Sequence, residues 1–200
     1  MENLITLKLE SKIEDLNLDI YDPKTDSIVQ KNIKDYQWKW LVLFFYPADF
    51  TFVCPTELKD LNKSYEDIKN SNGELLVVST DTVFSHKRWI ETEKLLEWFG
   101  IQMVSDRKWN ISKLFGVLND ESGNSERWTF IISPDGVLKS VEIVTEPIGR
   151  SSKELIRKLE ALEYVRSNPG QACPASWNKW DKVLKPGIDI AGMVAKHLGE

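Results

Sequence analysis

Every residue from Trp40 to Tyr46 is apolar, and the run stops at Pro47. A short, unbroken run of aromatic and branched side chains closed by a breaker predicts a strand buried on both faces. Leu75–Thr80 and Ile101–Val104 read the same way, and Arg127–Ser133 and Val137–Val144 flank Pro134–Asp135–Gly136 as the two arms of a hairpin. Leu58, Leu61, Tyr65 and Ile68 recur instead at helical spacing up to Asn72–Gly73. A second helix is predicted from about Phe84 to Phe99, closed by Gly100, and a helical turn at Ile111–Phe115.

Upstream, LDIYDPKTDSIVQ holds two short alternating segments about a turn and predicts an N-terminal hairpin added to the core. Downstream, Ser151 and Glu154 have capping-box spacing, and Leu155, Leu159 and Leu162 give the following helix one apolar stripe. Beyond Asn168–Pro169–Gly170 periodicity fades, so the remaining segment reads as an extended arm that needs a surface to lie on. The order βαβα, then hairpin and helix, predicts an α/β thioredoxin-like fold, a central mixed sheet flanked by helices. The expected division is a domain over residues 1–165 and an arm over 166–200.

Two hundred residues with 42% hydrophobic content suit one packed domain plus an arm. The net charge of −5 and dispersed lysines and arginines remove the attraction that drives nucleic-acid or anionic-membrane binding. The segment MENLITLKLESKIED lacks the apolar stretch and cleavage site of a secretory signal, and no run is long enough to span a membrane, so the expected location is the cytoplasm. Two cysteines and two histidines give neither a disulfide framework nor zinc-ligand spacing. No metal or cofactor is expected.

The chemistry concentrates just past the first strand, in WLVLFFYPADFTFVCPTE. The Thr51 hydroxyl is placed to cap a new helix, which puts Cys54 in its first turn, where backbone N–H groups lack intrahelical partners. Pro55 fits a first turn but draws Cys54 away from ideal helical angles. Free cysteines often only pack in cores; a helix N-terminus at the end of a strand favours a reactive thiolate.

FFYPADFTFVCPTE closely resembles the active-site motif of the peroxiredoxins, whose P-x-x-x-[TS]-x-x-C pattern is met by Pro47, Thr51 and Cys54. The likeness continues through VVSTDTVFSHKRW, RWTFIIS, PIGRSSKELIRKLEALEY and ACPASW, and is nearest to the bacterial alkyl hydroperoxide reductase C type of typical two-cysteine peroxiredoxin. It implies that Cys54 attacks the terminal oxygen of a hydroperoxide and becomes a sulfenic acid. It further implies that Cys173 resolves that acid as a disulfide between subunits. An ordinary thiol is about 3% ionised at pH 7, so ionisation alone accelerates attack at most roughly 30-fold. The rest must come from a frame that stabilises charge on the departing oxygen; by the resemblance, that frame is Thr51, the backbone N–H at Cys54 and Arg127, shielded by Pro47.

Glu57 beside the thiol would work against a thiolate, so by the same resemblance it orients Arg127 together with Arg150. A single histidine, His86, on a predicted helix reads as solvated or structural rather than as a base. The resemblance also implies a homodimer assembling into a decameric ring, and turnover by a flavin-containing disulfide reductase subunit or thioredoxin. The chain has no G-x-G-x-x-G fingerprint of its own. Two departures stand out. The GGLG and C-terminal YF motifs that promote overoxidation in many eukaryotic members are missing, which predicts resistance to overoxidation, and Ser133 replaces a usual aspartate. A thioredoxin-like disulfide oxidoreductase is disfavoured because no C-x-x-C exists, and a holdase role would leave the Pro47–Thr51–Cys54 pattern unexplained.

Overall fold

The computed structural model describes residues 7–199; the first six residues of the amino-terminal segment and the final residue of the arm lie outside the described residues. The chain divides into two compact units, residues 1–152 and 153–200. The first is built on seven strands: β1 (Asn17–Asp22), β2 (Ser27–Asn32), β3 (Trp40–Phe45), β4 (Gly73–Ser79), β5 (Gln102–Ser105), β6 (Trp128–Ile132) and β7 (Leu138–Ile143). They form one mixed sheet in the order β2-β1-β5-β4-β3-β6-β7. β3 runs parallel to β4 and antiparallel to β6, and every one of its residues is buried. With helices on the sheet, this is the predicted thioredoxin-like α/β class.

The two faces of β3 are both apolar, for different purposes. Leu41, Leu43 and Phe45 enter a cluster with Leu76, Val78, Phe130 and Ile132. There the rings of Phe45, Phe115 and Phe130 meet with centroids 4.8–5.6 Å apart. Burying each such side chain stabilises the fold by about 1.5–3 kcal/mol. Phe44 points the other way, toward the Arg150 guanidinium. The N-terminal hairpin is more than an addition: β1 pairs with β5, and Leu18 and Ile20 belong to the same apolar cluster.

The helices are α1 (Cys54–Lys63), α2 (Tyr65–Asn70), α3 (Val83–Thr92), α4 (Asn110–Leu114), α5 (Ser152–Ser167) and α6 (Val194–Leu198). The helix predicted through Leu58, Leu61, Tyr65 and Ile68 is broken at Ser64 into α1 and α2, with all four residues buried. α2 ends at Asn70, and the turn after it passes through Asn72, whose φ of 55° places it in the left-handed region that asparagine tolerates. α3 ends at Thr92, not Phe99, because Glu93 turns extended and caps the short 3₁₀ turn Lys94–Leu96 through Leu95 N–H. Among the described residues no helix is long and apolar enough to cross a membrane.

Ser133, puzzling in the sequence, closes the β6–β7 turn. Its hydroxyl accepts from Val137 N–H at 3.2 Å, and its carbonyl accepts from Gly136, which has φ of 77°.

In the second unit the arm has an anchor of its own. Trp177 is buried, lies 5.1 Å from the Tyr164 ring of α5 and donates its indole N–H to Asp181 O at 3.2 Å. An isolated bridge joins Ala172 to Leu184.

Candidate active site

β3 ends at Phe45, and the loop that follows carries Pro47, Asp49 and Thr51 to the start of α1. Cys54 is the first residue of that helix, 1% exposed, with Pro55 beside it in the first turn, as predicted. Its own N–H is among the first-turn donors that a helix leaves without an internal partner. Thr51 does not cap the helix. The cap position belongs to Val53 without a side-chain bond, and the Thr51 hydroxyl turns back to donate to Ala48 O at 2.7 Å. With its proton committed there, the Thr51 oxygen retains lone pairs that can accept.

Arg127, immediately before β6, is 2% exposed. Its Nη1 lies 3.7 Å from Cys54 Sγ and donates to Glu57 Oε2. Nε and Nη2 both donate to Glu146 O, at 3.0 and 2.8 Å. The guanidinium is therefore fixed from two sides, with one nitrogen facing the sulfur.

Glu57 stands one turn along α1 and is 2% exposed. Besides Arg127 it accepts from Arg150: N–H at 2.7 Å and Nε at 3.0 Å on Oε1, and Nη2 at 3.3 Å on Oε2. Arg150 also donates to Thr129 Oγ1 at 3.0 Å and Phe45 O at 2.8 Å, and its guanidinium lies 3.3 Å from the centroid of the Phe44 ring. Phe44 and Thr129 are register partners on β3 and β6, so one arginine joins two strands to α1. Burial pulls the Arg150 guanidinium below its ordinary range, and the Glu57 carboxylate opposes that pull. One buried carboxylate offsets one of the two guanidinium charges it bridges, so the cluster keeps a net positive charge.

Gly149 passes beside Glu57. A Cβ there would meet Glu57 Cγ and Val53 Cγ1 at 3.4 Å each.

The structure thus brings Cys54, Glu57, Arg127 and Arg150 together, with Pro47 buried and Thr51 half-buried on the same loop. His86 is fully buried rather than solvated, and its two ring nitrogens face Asp49 and Val104 O. Asp49 is a residue that sequence reasoning misses. Its position two residues past Pro47, in the loop that leads to the cysteine, is the available signal.

Cys173 lies in the second unit, half-buried, 3.9 Å from Ala161 O. Burial pushes its thiol up, and the nearby Arg157 charge partly opposes this. Both cysteines are free thiols.

Residues 10–141 match the AhpC/TSA family. The chain is 47% identical over 160 residues to alkyl hydroperoxide reductase C of Amphibacillus xylanus, covering 80% of this chain and 85% of that one. It is 42% identical over 174 residues to the Staphylococcus haemolyticus protein of the same name, covering 87% and 92%. Among solved structures, reduced Plasmodium vivax 2-Cys peroxiredoxin superposes with a TM-score of 0.88 at 29% identity, covering 94% of this chain and 98% of that one. Enterococcus faecalis AhpC superposes with a TM-score of 0.80 at 37% identity, covering 85% and 100%. By these matches the chain belongs to the AhpC/TSA family: it is a peroxiredoxin, a thiol peroxidase.

Proposed function

We propose that this peroxiredoxin reduces hydrogen peroxide and organic hydroperoxides through Cys54. The Cys54 thiolate attacks the terminal peroxide oxygen, the O–O bond breaks, and water or an alcohol leaves once the departing oxygen is protonated. Cys54 becomes a sulfenic acid. The observation that carries this reading is the guanidinium nitrogen of Arg127 at 3.7 Å from Cys54 Sγ, held by Glu57 and Glu146 O. A preorganised cation there stabilises charge moving onto the departing oxygen without rearranging during the reaction. Thr51, whose proton is spent on Ala48 O, accepts a hydrogen bond from the hydroperoxide O–H and so aligns it. Pro47 keeps water from the thiolate.

Cys173 of the partner subunit then attacks the sulfenic sulfur, forming the disulfide and releasing water. Two electrons from an external dithiol, a flavin-containing disulfide reductase subunit or thioredoxin, restore both thiols. The working form is a homodimer, assembling to a decameric ring, in the cytoplasm.

Peroxide consumption with a supplied reductant tests the scheme: wild type turns over, and Cys54→Ser does not. Activity that persists in Cys54→Ser refutes the assignment. On non-reducing gels oxidised wild type runs as a covalent dimer and Cys173→Ser as a monomer; a monomeric oxidised wild type would instead place the bridge within one chain.

A further inference from the structure

The loop that carries Thr51 is tied down from an unexpected direction. The Asp49 and His86 side chains are each fully buried, on the β3–α1 loop and near the start of α3 respectively. Tyr46 O–H donates to Asp49 Oδ1 at 2.7 Å, and His86 Nδ1 lies 2.9 Å from Asp49 Oδ2. The other ring nitrogen, Nε2, faces Val104 O at 3.3 Å, and because a carbonyl can only accept, a ring protonated at Nε2 satisfies it. Nδ1 and the carboxylate make the closer of the two imidazole contacts. Tyr46 remains a donor, since burial and the Asp49 charge push its phenol well above its ordinary range.

The backbone of the same residue is held as firmly. Asp49 N–H donates to Asp81 Oδ2 at 2.8 Å, and that oxygen also accepts from Ser79 Oγ at 2.9 Å. Residue 49 is thereby fastened to the ends of β3 and β4 and to α3. The next residue, Phe50, is held at φ of 56°, a conformation that bulky side chains adopt only when their surroundings impose it. One residue later comes Thr51.

We infer that Asp49 and His86 are positioning residues for the peroxide reaction, a buried carboxylate–imidazole pair that sets the loop so that Pro47 and Thr51 stand in place before peroxide arrives. The inference rests on Cys54 being the thiol that meets peroxide. Neither residue touches the substrate; both act through the backbone between Pro47 and Thr51. The donors and acceptors around residue 49 yield a distinction between variants. Asp49→Asn can keep the network whole: its amide oxygen still accepts from Tyr46, its NH2 donates to Nδ1, and His86 retains the Nε2 proton for Val104 O. Asp49→Ala leaves His86 Nδ1 and the Tyr46 hydroxyl buried without that partner.

The test compares two reactions of the same thiol in a Cys173→Ser background. One is the second-order rate of oxidation by hydrogen peroxide, followed by stopped-flow tryptophan fluorescence. The other is alkylation by iodoacetamide, which needs a thiolate but no frame for a peroxide. Asp49→Ala should be at least about 10-fold slower with peroxide and no slower with iodoacetamide, whereas Asp49→Asn should recover to within about threefold of the parent. A peroxide rate for Asp49→Ala within threefold of the parent, a parallel slowing with both reagents, or no recovery in Asp49→Asn overturns the inference.

Should Asp49→Ala fail to fold by circular dichroism, Tyr46→Phe, which loses one hydroxyl, decides: slower peroxide reaction with unchanged alkylation supports the inference, and an unchanged peroxide rate overturns it. A parent protein inert to peroxide would overturn the reading of Cys54 itself. A fast parent matched by its variants overturns this inference alone.

Discussion

Replacing Glu57 with glutamine keeps the volume of the site and removes the charge that faces two guanidiniums. Both arginine side chains are at most 2% exposed, so solvent cannot take over the role of the carboxylate. Breaking a buried ion pair from one side costs about 3–5 kcal/mol, because the remaining charge stays desolvated. Unfolding of 200 residues at about 2.1 cal/mol/K per residue carries an entropy of about 0.42 kcal/mol/K, so Tm should fall by about 7–12 °C. Activity should fall as well, but less than on loss of the guanidinium, since Glu146 O still holds Arg127 through two nitrogens. A displacement of Arg127 Nη1 by about an ångström would slow oxidation by roughly 10- to 100-fold. Thermal melts by far-UV circular dichroism and stopped-flow peroxide kinetics read the two effects separately. A Tm within about 2 °C of wild type would refute the reasoning, for it would mean that the arginines are not left uncompensated.

Arg127→Met removes the donor facing the sulfur and should slow peroxide oxidation by about 10²–10³-fold, measured by the same stopped-flow assay. Gly149→Ala adds a methyl at ordinary contact distance from Glu57 and Val53 and should stabilise the fold by about 0.4–1 kcal/mol, visible as a higher urea midpoint. Because the Cys173 thiol is pushed up, less thiolate exists at any given pH, and the alkylation profile of Cys173 in Cys54→Ser should be half-maximal above the ordinary thiol value; Arg157→Met, which removes the opposing charge, should move it higher still. Lacking the GGLG and YF motifs, the wild type should show little Cys54 sulfinic acid by mass spectrometry after modest peroxide exposure during turnover.

What the sequence discloses follows from periodicity and breakers. β3, its stop at Pro47 and the helix beginning at Cys54 are local events, each written within a few residues, and all are legible. Two departures from expectation are local too. Glu93 ends α3 by turning extended, a choice that the apolar spacing through Phe99 conceals, and the Thr51 hydroxyl prefers Ala48 O to a capping position that the side chain of Val53 cannot fill. Glu57, Arg127 and Arg150 are reached only through a family resemblance, because no periodic pattern couples positions so far apart. The Asp49–His86 pair spans 37 residues and exists only once α3 packs beside the loop, so each residue by itself looks ordinary.

The bridging role of Glu57 also bears on the birth of the molecule. Its partners lie 70 and 93 residues further along the chain, so the guanidinium beside Cys54 is secured only after two long loops have closed. A nascent chain emerges with its cysteine long before Arg127 and Arg150 have been synthesised. During that interval the thiol lacks the guanidinium that later stands 3.7 Å from its sulfur. On the proposed mechanism, reactivity toward peroxide is acquired together with tertiary structure, and a half-made molecule should be a poor target for the oxidant. The site therefore acts as its own certificate of folding.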